Sequence, residues 1–246
     1  MDPGRFDDLA ETYEHFRTGY AEDVFDALFE YGLRPGDRVL DLATGTGVVA
    51  NELSERGCNV TGVDLSKAML TRARRRVPEA VFRVAAPEAL PFASASFDAA
   101  TCAQSVNWFD SPRALAEIVR VLRPGGIVAV WWKALMRGDG VRLLREETAI
   151  DLGLEPATDL LARGFPEFER VRLADRRLRV LPWIVHTTVG DYLAYERSWA
   201  RARERYGNGL ERYLNDLAKR LGPPDSKLSL SYVHALYLGR TPDAGL

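Results

Sequence analysis

The chain has 246 residues, a length typical of one large domain or of one domain with an added segment. Its formal net charge is −2, so no overall positive field points to nucleic acid or to an anionic membrane as a partner. Hydrophobic residues make up 46% of the chain, which is enough for a buried core. Two cysteines are too few for a disulfide framework.

The first residues are polar and lack the apolar run of a signal peptide. No apolar run approaches the ~20 residues that a membrane-spanning helix needs. We therefore expect a cytoplasmic protein, a monomer or a homodimer, with no membrane partner and no metal site.

The apolar pattern predicts the elements in chain order, beginning with two helices within residues 5–33. Short apolar runs then alternate with helical segments, which places strands at 39–42, 60–63, 81–84, 97–103 and 127–130 and helices at 46–56, 66–76 and 112–122. Such alternation indicates parallel βαβ units in a doubly wound sheet. Sheets of this kind bind ligands beyond the carboxyl ends of their strands.

The last hundred residues are less regular. Helices are predicted near 140–152 and 157–163, an extended segment at 168–187, and a final strand at 228–239. Thr188 and Asp191 resemble a capping box that opens a helix rich in aromatic residues. A further helix from Leu210 ends at Gly222.

The strongest local motif is the segment from Val39 to Gly47, a strand followed by a glycine turn and a helix. Residues 45–50 also satisfy the dinucleotide fingerprint G-x-G-x-x-G/A, so a nicotinamide oxidoreductase is one interpretation. The glycines come late, however, and Asp41 sits at the strand end, where it would repel a pyrophosphate. An ammonium group, such as that of S-adenosylmethionine (SAM), tolerates this acid.

Asp64 ends the second strand, 17 residues after Gly47. A carboxylate at this point can accept hydrogen bonds from both ribose hydroxyls of a nucleoside. The alternative is an acid that interacts with the dipole of the following helix. The pairing with the glycine turn favours the ligand.

Several ordered motifs carry a family resemblance over about residues 5–131: residues 39–47, 63–66 with Met69, 88–92, 96–98, 104–109 and 122–126. In this order they resemble class I SAM-dependent methyltransferases of small molecules. The pattern is most similar to the trans-aconitate-methyltransferase-like and ubiquinone/menaquinone-methyltransferase-like branches.

The resemblance implies an α/β, Rossmann-like fold: a seven-stranded, mostly parallel doubly wound sheet with an N-terminal helical lid and a C-terminal helical cap insertion. We place the lid at 1–33, the SAM-binding core at 34–164, the substrate-side cap at 165–225, and the final strand and tail at 226–246.

The resemblance assigns the cofactor to positions in the lid and after the first four strands: Tyr13, Arg17, Asp41, Ala43, Thr44, Gly45, Gly47, Asp64, Leu65, Met69, Ala86, Pro87, Gln104 and Ser105. The glycine turn would hold the methionine part of SAM and Asp64 the ribose. Leu65 and Met69 would enclose the adenine, although ordinary core packing competes as an explanation. Gln104 and Ser105 would lie under the methionine chain, near the sulfonium.

Three positions depart from the family pattern. Ala43 replaces the first glycine of the turn, and Ala86 replaces an acid that usually contacts the adenine amino group. Asn107 replaces a histidine that is common before the tryptophan of the fourth motif. If that histidine serves as a base in relatives, this chain cannot use it.

Methyl transfer needs alignment of nucleophile, methyl group and sulfur, and a base only when the nucleophile must lose a proton. His15, His186 and His234 are scattered, and His186 is the preferred base because it ends the extended segment before the aromatic helix. The acceptor is predicted to be small and either apolar or aromatic, with no nucleic acid as substrate. Its pocket residues are predicted to be polar or aromatic side chains near the strand ends: Asn107, Trp108, Trp131, Trp183 and Tyr192.

Two alternatives stay open at this point. The glycine turn is compatible with NAD(P) chemistry, and the fold is compatible with a protein that binds SAM without transferring a methyl group.

Overall fold

The computed structural model describes residues 19–106, 109, 111–155, 168, 171–198 and 200–243. The strands are β1 (Arg38–Leu42), β2 (Asn59–Asp64), β3 (Val81–Val84), β4 (Phe97–Ala103), β5 (Leu122–Leu135), β6 (Ala174–Thr188) and β7 (Lys227–Arg240). The helices are α1 (Glu22–Tyr31), α2 (Val48–Glu55), α3 (Lys67–Arg76), α4 (Ser111–Val121), α5 (Gly140–Asp151), α6 (Val189–Arg197), α7 (Ala200–Tyr206) and α8 (Leu210–Leu221).

All seven strands form one sheet in the order β3-β2-β1-β4-β5-β7-β6. The first five pair in parallel, whereas β7 runs antiparallel to both β5 and β6. The predicted seven-stranded, mostly parallel α/β sheet is confirmed, and β7 is its one reversed strand. Because the chain leaves β1, β2 and β4 at the same edge, the loops after these strands meet there.

Hydroxyl and carboxylate caps set the starts of three helices. The side chain of Ser66, the N-cap of α3, accepts a hydrogen bond from the Met69 amide. Asp139 caps α5, and Thr188 caps α6 by accepting from the Asp191 amide. Each cap stabilises its helix by about 1 kcal/mol, because it satisfies an amide that the helix leaves without a partner.

Apolar side chains pack on both faces of the sheet. Phe25 and Leu28 of α1, Leu53 of α2 and Leu70 of α3 belong to the buried cluster on one face. Leu115 and Ile118 of α4 belong to the cluster on the other. A doubly wound sheet therefore lies between two helical layers, as the βαβ pattern predicts.

A third buried cluster lies where β5 and β6 end and β7 begins. Leu135, Val185 and Leu230 of these strands pack with side chains of α5 to α8, which we call the helical layer. Tyr192, Tyr213 and Leu217 are among its most buried side chains.

The boundaries of the predicted cap need correction. Within the predicted range 165–225, Ala174–Thr188 is the edge strand of the sheet rather than part of a helical cap, and α6 follows it from Val189. Conversely, α5 was assigned to the core but packs in the helical layer. Both errors have one cause, because the pairing of β6 with β7 and the packing of α5 depend on contacts distant in sequence.

Strand β5 is longer than the predicted 127–130 because β7 pairs with it as far as Leu135. The first of the two helices predicted in 5–33 and the helix predicted at 157–163 lie outside the described residues. No helix in the described ranges is long and apolar enough to cross a bilayer.

Candidate functional site

The loop between β1 and α2 turns sharply at the carboxyl edge of the sheet. Ala43, Gly45 and Gly47 have φ values of 50°, 57° and 80°, all in the left-handed region. Glycine accepts this conformation without strain, whereas the methyl group of Ala43 makes it unfavourable. A Cβ atom at Gly47 would lie 3.1 Å from the Ala73 Cβ of α3, so glycine also permits close packing between α2 and α3.

The loop borders a cavity of about 450 Å³, including its open mouth. The lining residues come from β1, the glycine loop, the start of α2, the end of β4 and the chain before α1: Gly19, Tyr20, Asp41, Ala43, Thr44, Gly45, Thr46, Val48, Val49 and Ala103. The cavity thus lies beyond the carboxyl ends of β1 and β4, where doubly wound sheets bind ligands.

Asp41 is a buried acid in the wall of this cavity, with only 1% of its surface exposed. Its Oδ1 atom accepts a 2.8 Å hydrogen bond from the Thr101 hydroxyl, whereas Oδ2 has no donor among the described residues. Burial raises the pKa of Asp41 to about 7, although the hydroxyls of Thr44 and Thr101 oppose the shift. A cationic donor would relieve this unfavourable environment.

Asp64, at the end of β2, holds the glycine loop in place. Its Oδ2 accepts a 3.0 Å hydrogen bond from the Gly45 amide, and its Oδ1 accepts a 2.9 Å bond from the Ser66 amide. A carboxylate has about four lone-pair positions, so bonds to these two amides do not exclude a further hydrogen bond to a ligand.

The predicted cofactor positions that come after β2, β3 and β4 lie around the same edge. Met69 is buried on α3, and Leu65 precedes that helix. Ala86 and Pro87 follow β3, where the Ala86 carbonyl accepts a bond from the Ala89 amide. Gln104 has a left-handed φ of 60°, a strained value of the kind that clusters at functional sites.

Other bonds hold the turn after β4. The Gln104 side-chain amide donates to the Lys133 carbonyl at 3.1 Å, and the Ser105 hydroxyl donates to the Ala103 carbonyl at 2.8 Å. The turn is therefore tied to β5. The predicted site residues Tyr13, Arg17, Asn107 and Trp108 lie outside the described residues.

The predicted base His186 does not fit its role. Along β6, Leu181, Trp183 and Val185 face the packed side of the strand, and His186 faces the opposite, exposed side. Its Nδ1 lies 2.9 Å from the Ser229 hydroxyl. Side chains alternate between the two faces of a strand, and this alternation places His186 on the exposed face. The sequence did not predict that orientation, because the pairing of the segment was unknown.

Two of the predicted acceptor residues are core residues. Trp131 is fully buried and packs edge-on against Tyr20 and Phe25, and Tyr192 is 2% exposed in the helical layer. Both side chains pack in the core, and contact of either with an acceptor stays a prediction. Trp183 is half-buried, and its role stays a prediction.

Two interior polar residues near the cavity, Lys133 and His234, were not among the predicted site residues. These residues face each other across β5 and β7, and they are 7% and 0% exposed. Lys133 directly follows Trp131 and Trp132, but the predicted strand ended at residue 130. In the described part of the chain, no group of three or more His, Cys, Asp or Glu residues is arranged to hold a metal ion.

Comparison with known proteins relates this geometry to a family. Residues 40–130 match the model of a methyltransferase domain. An uncharacterized methyltransferase of Mycobacterium tuberculosis is 38% identical over 127 residues, which cover 52% of this chain and 51% of the relative. A demethylmenaquinone methyltransferase of Beutenbergia cavernae is 38% identical over 136 residues, with 52% of this chain and 55% of the relative covered. The chain thus spans about half the length of these curated relatives.

The fold extends further than the sequence similarity. A solved protein from Anaeromyxobacter dehalogenans, assigned as a type II methyltransferase, superposes with a TM-score of 0.72. The alignment covers 93% of this chain and 100% of that chain, at 24% identity, and it shows a shared fold. Over residues 40–130 the chain is therefore similar to methyltransferase domains, in agreement with its motifs.

Proposed function

We propose that this protein is a SAM-dependent methyltransferase whose acceptor is a small apolar or aromatic molecule. The observation that carries the proposal is the buried Asp41 carboxylate in the cavity wall, with one oxygen lacking a donor among the described residues. The ammonium of SAM matches this oxygen in charge and in hydrogen bonding. A pyrophosphate would be repelled by the same group, which argues against the NAD(P) alternative.

The residues around the cavity fit the other parts of SAM. Asp64 would accept hydrogen bonds from the ribose hydroxyls in addition to those from the amides of Gly45 and Ser66. Leu65 and Met69 would lie against the adenine. The sulfonium of bound SAM supplies an activated methyl group, so the protein's part is to bind, to orient the acceptor and to exclude water.

The acceptor class is proposed from the apolar and aromatic surroundings of the cavity. Tyr20 lines the cavity, and its ring contacts Trp131 and His234. The relative from Beutenbergia cavernae is named for a menaquinone precursor, a molecule with an aromatic ring system. We place the acceptor on the side of the cavity that faces β5, β7 and the helical layer.

Binding of S-adenosylhomocysteine, the demethylated product, tests the proposal directly. A ligand at 100 times its dissociation constant should stabilise the fold by about 2.7 kcal/mol, which raises the melting temperature by several degrees. We expect this shift in a thermal melt with the product or with SAM, and none with NAD or NADP. A shift with the nicotinamide cofactors alone would refute the proposed function.

Asp64→Ala tests the proposed ribose contact. We expect product binding to weaken by about 1.5–3 kcal/mol, because a charge-assisted hydrogen bond is lost. The fold should also lose about 1–3 kcal/mol, since the amides of Gly45 and Ser66 lose their acceptor. Calorimetric titration measures the first effect and urea unfolding the second.

Asp37→Asn is the matched control, because Asp37 lies in the turn before β1, away from the cavity. Unchanged product affinity in the Asp64 variant would show that Asp64 holds the glycine loop and does not bind the ribose.

A further inference from the structure

A lysine lies in a ring of aromatic side chains beside the proposed cofactor cavity. The Nζ atom of Lys133 is 5.0 Å from the ring centre of Tyr232, 5.1 Å from Trp183, 5.7 Å from Tyr195 and 5.9 Å from Tyr20. Ring faces attract cations, so this arrangement favours the charged ammonium inside the protein. We call these five residues together with His234 the Lys133 cluster.

His234 is the second polar group of the cluster, and it is completely buried. Its ring packs 5.4 Å from Trp183 and 6.0 Å from Tyr20, measured between ring centres. Neither ring nitrogen has a hydrogen-bond partner of normal geometry among the described residues. Burial and the charge of Lys133 lower the pKa of His234 to about 4, although an interaction with the Leu181 backbone raises the pKa of the ring and so opposes the shift. The ring is therefore neutral at physiological pH. A buried imidazole in this state has hydrogen-bonding capacity left for a ligand.

The cluster adjoins the cofactor cavity directly. Tyr20 belongs to the cluster and also lines the cavity. The Lys133 Nζ donates a 3.3 Å hydrogen bond to the carbonyl of Gly19, another lining residue. The Lys133 carbonyl accepts from the Gln104 side chain, at the turn that closes the cavity after β4. A molecule held by the cluster would therefore sit next to the proposed cofactor.

We propose that the Lys133 cluster binds the methyl acceptor and that the acceptor is a flat molecule with an acidic hydroxyl group, a phenol or an enol, bound as its oxyanion. This inference rests on the proposed function and adds the substrate class to it. The aromatic rings contact the flat face of the acceptor, Lys133 pairs with its oxyanion, and His234 supplies a hydrogen bond.

The positive charge of Lys133 favours an acceptor with an acidic hydroxyl over an amine. A cation within about 4–6 Å of an acidic hydroxyl lowers its pKa by 1–3 units, whereas the same cation disfavours an ammonium.

The hydroxyl proton leaves to solvent, and both electrons of the O–H bond stay on oxygen. Transfer then joins this oxygen to the methyl carbon. The electron pair of the carbon–sulfur bond stays on sulfur, which becomes a neutral thioether. No protein base is required, in agreement with the exposed position of His186.

The ionisation of 4-nitrophenol tests the proposal without turnover, because the phenol and the phenolate have different absorption spectra. We expect the probe to bind the wild-type protein and to ionise with a constant at least about tenfold larger than in water. Lys133→Met should abolish this shift. Lys219→Met is the matched control, because Lys219 is an exposed lysine of the helical layer, and it should keep the shift.

Competition in the wild-type protein keeps the test decisive if Lys133→Met fails to fold. Benzoate should displace 4-nitrophenol, and benzylamine of the same size should not. The proposal is wrong if the probe does not bind, if its ionisation is unshifted, if Lys133→Met keeps the shift, or if benzylamine competes equally. Titration of the same samples with S-adenosylhomocysteine separates failure of this inference from failure of the proposed function. Product binding without a shift in probe ionisation refutes only the inference about the acceptor.

Discussion

Asp41→Asn is expected to weaken the binding of S-adenosylhomocysteine by about 1.5–3 kcal/mol, or about 10- to 150-fold. The product carries the same ammonium as SAM, and the variant lacks the buried carboxylate that we propose as its partner. Isothermal titration calorimetry measures the loss. Asp98→Asn is the matched control, because Asp98 lies at the amino end of β4, where it pairs with Arg38 and Arg123. Its loss should leave product affinity unchanged.

The pH dependence of the Asp41 variant gives a second readout. Because the pKa of Asp41 is about 7 in the folded protein and 3.8 as its ordinary value, the protonated acid stabilises the fold at low pH. This contribution is fully present below about pH 4 and is lost as the pH rises through 7, by as much as about 4 kcal/mol. Asp41→Asn should remove that slope from the unfolding free energy.

Product binding should show the opposite trend. The ammonium prefers the ionised carboxylate, so the affinity of the wild-type protein should rise with pH and level off above about 7. Binding below pH 7 should release a proton, which calorimetry in two buffers of different ionisation enthalpy detects. A pH-independent affinity in the wild-type protein would contradict the assignment of Asp41 to the ammonium.

Glu196→Gln is expected to destabilise the protein by about 3–5 kcal/mol, the range for removing one member of a buried ion pair. The carboxylate of Glu196 is 2% exposed and lies 3.0 Å from the guanidinium of Arg145. Burial lowers the pKa of Arg145, but Glu196 and the nearby Tyr192 and Tyr213 raise it by more. The guanidinium therefore stays charged. Without Glu196 a charge remains inside the helical layer with its main partner removed.

Urea unfolding of Glu196→Gln and Glu211→Gln compares a buried pair with an exposed one. Glu211 pairs with Arg197 at 3.0 Å, but both side chains are largely exposed. Its replacement should cost about 0–1 kcal/mol because water screens the pair. Equal losses in the two variants would show that burial does not control the strength of the Arg145–Glu196 pair.

Local sequence patterns predicted the alternating strands and helices of the parallel part of the sheet. The alternation of apolar runs and helical segments predicted β1 to β4 and α2 to α4 close to their observed bounds. Thr188 was predicted as the cap of α6 with Asp191, since capping needs only residues three positions apart. The turn at Gly45 and Gly47 was predicted because left-handed backbone favours glycine at those positions.

Pairing between strands distant in sequence determined the parts of the fold that local patterns did not predict. The edge position of β6 and the full length of β5 depend on β7, which follows them by about 40 and 90 residues. The same pairing turned His186 outward and brought Lys133 opposite His234, because side chains alternate along a strand and face partners set by its register. The burial that raises the pKa of Asp41 likewise comes from neighbouring strands. The sequence by itself thus determined the glycine loop after β1, whereas the tertiary structure determined which side chains lie beside that loop.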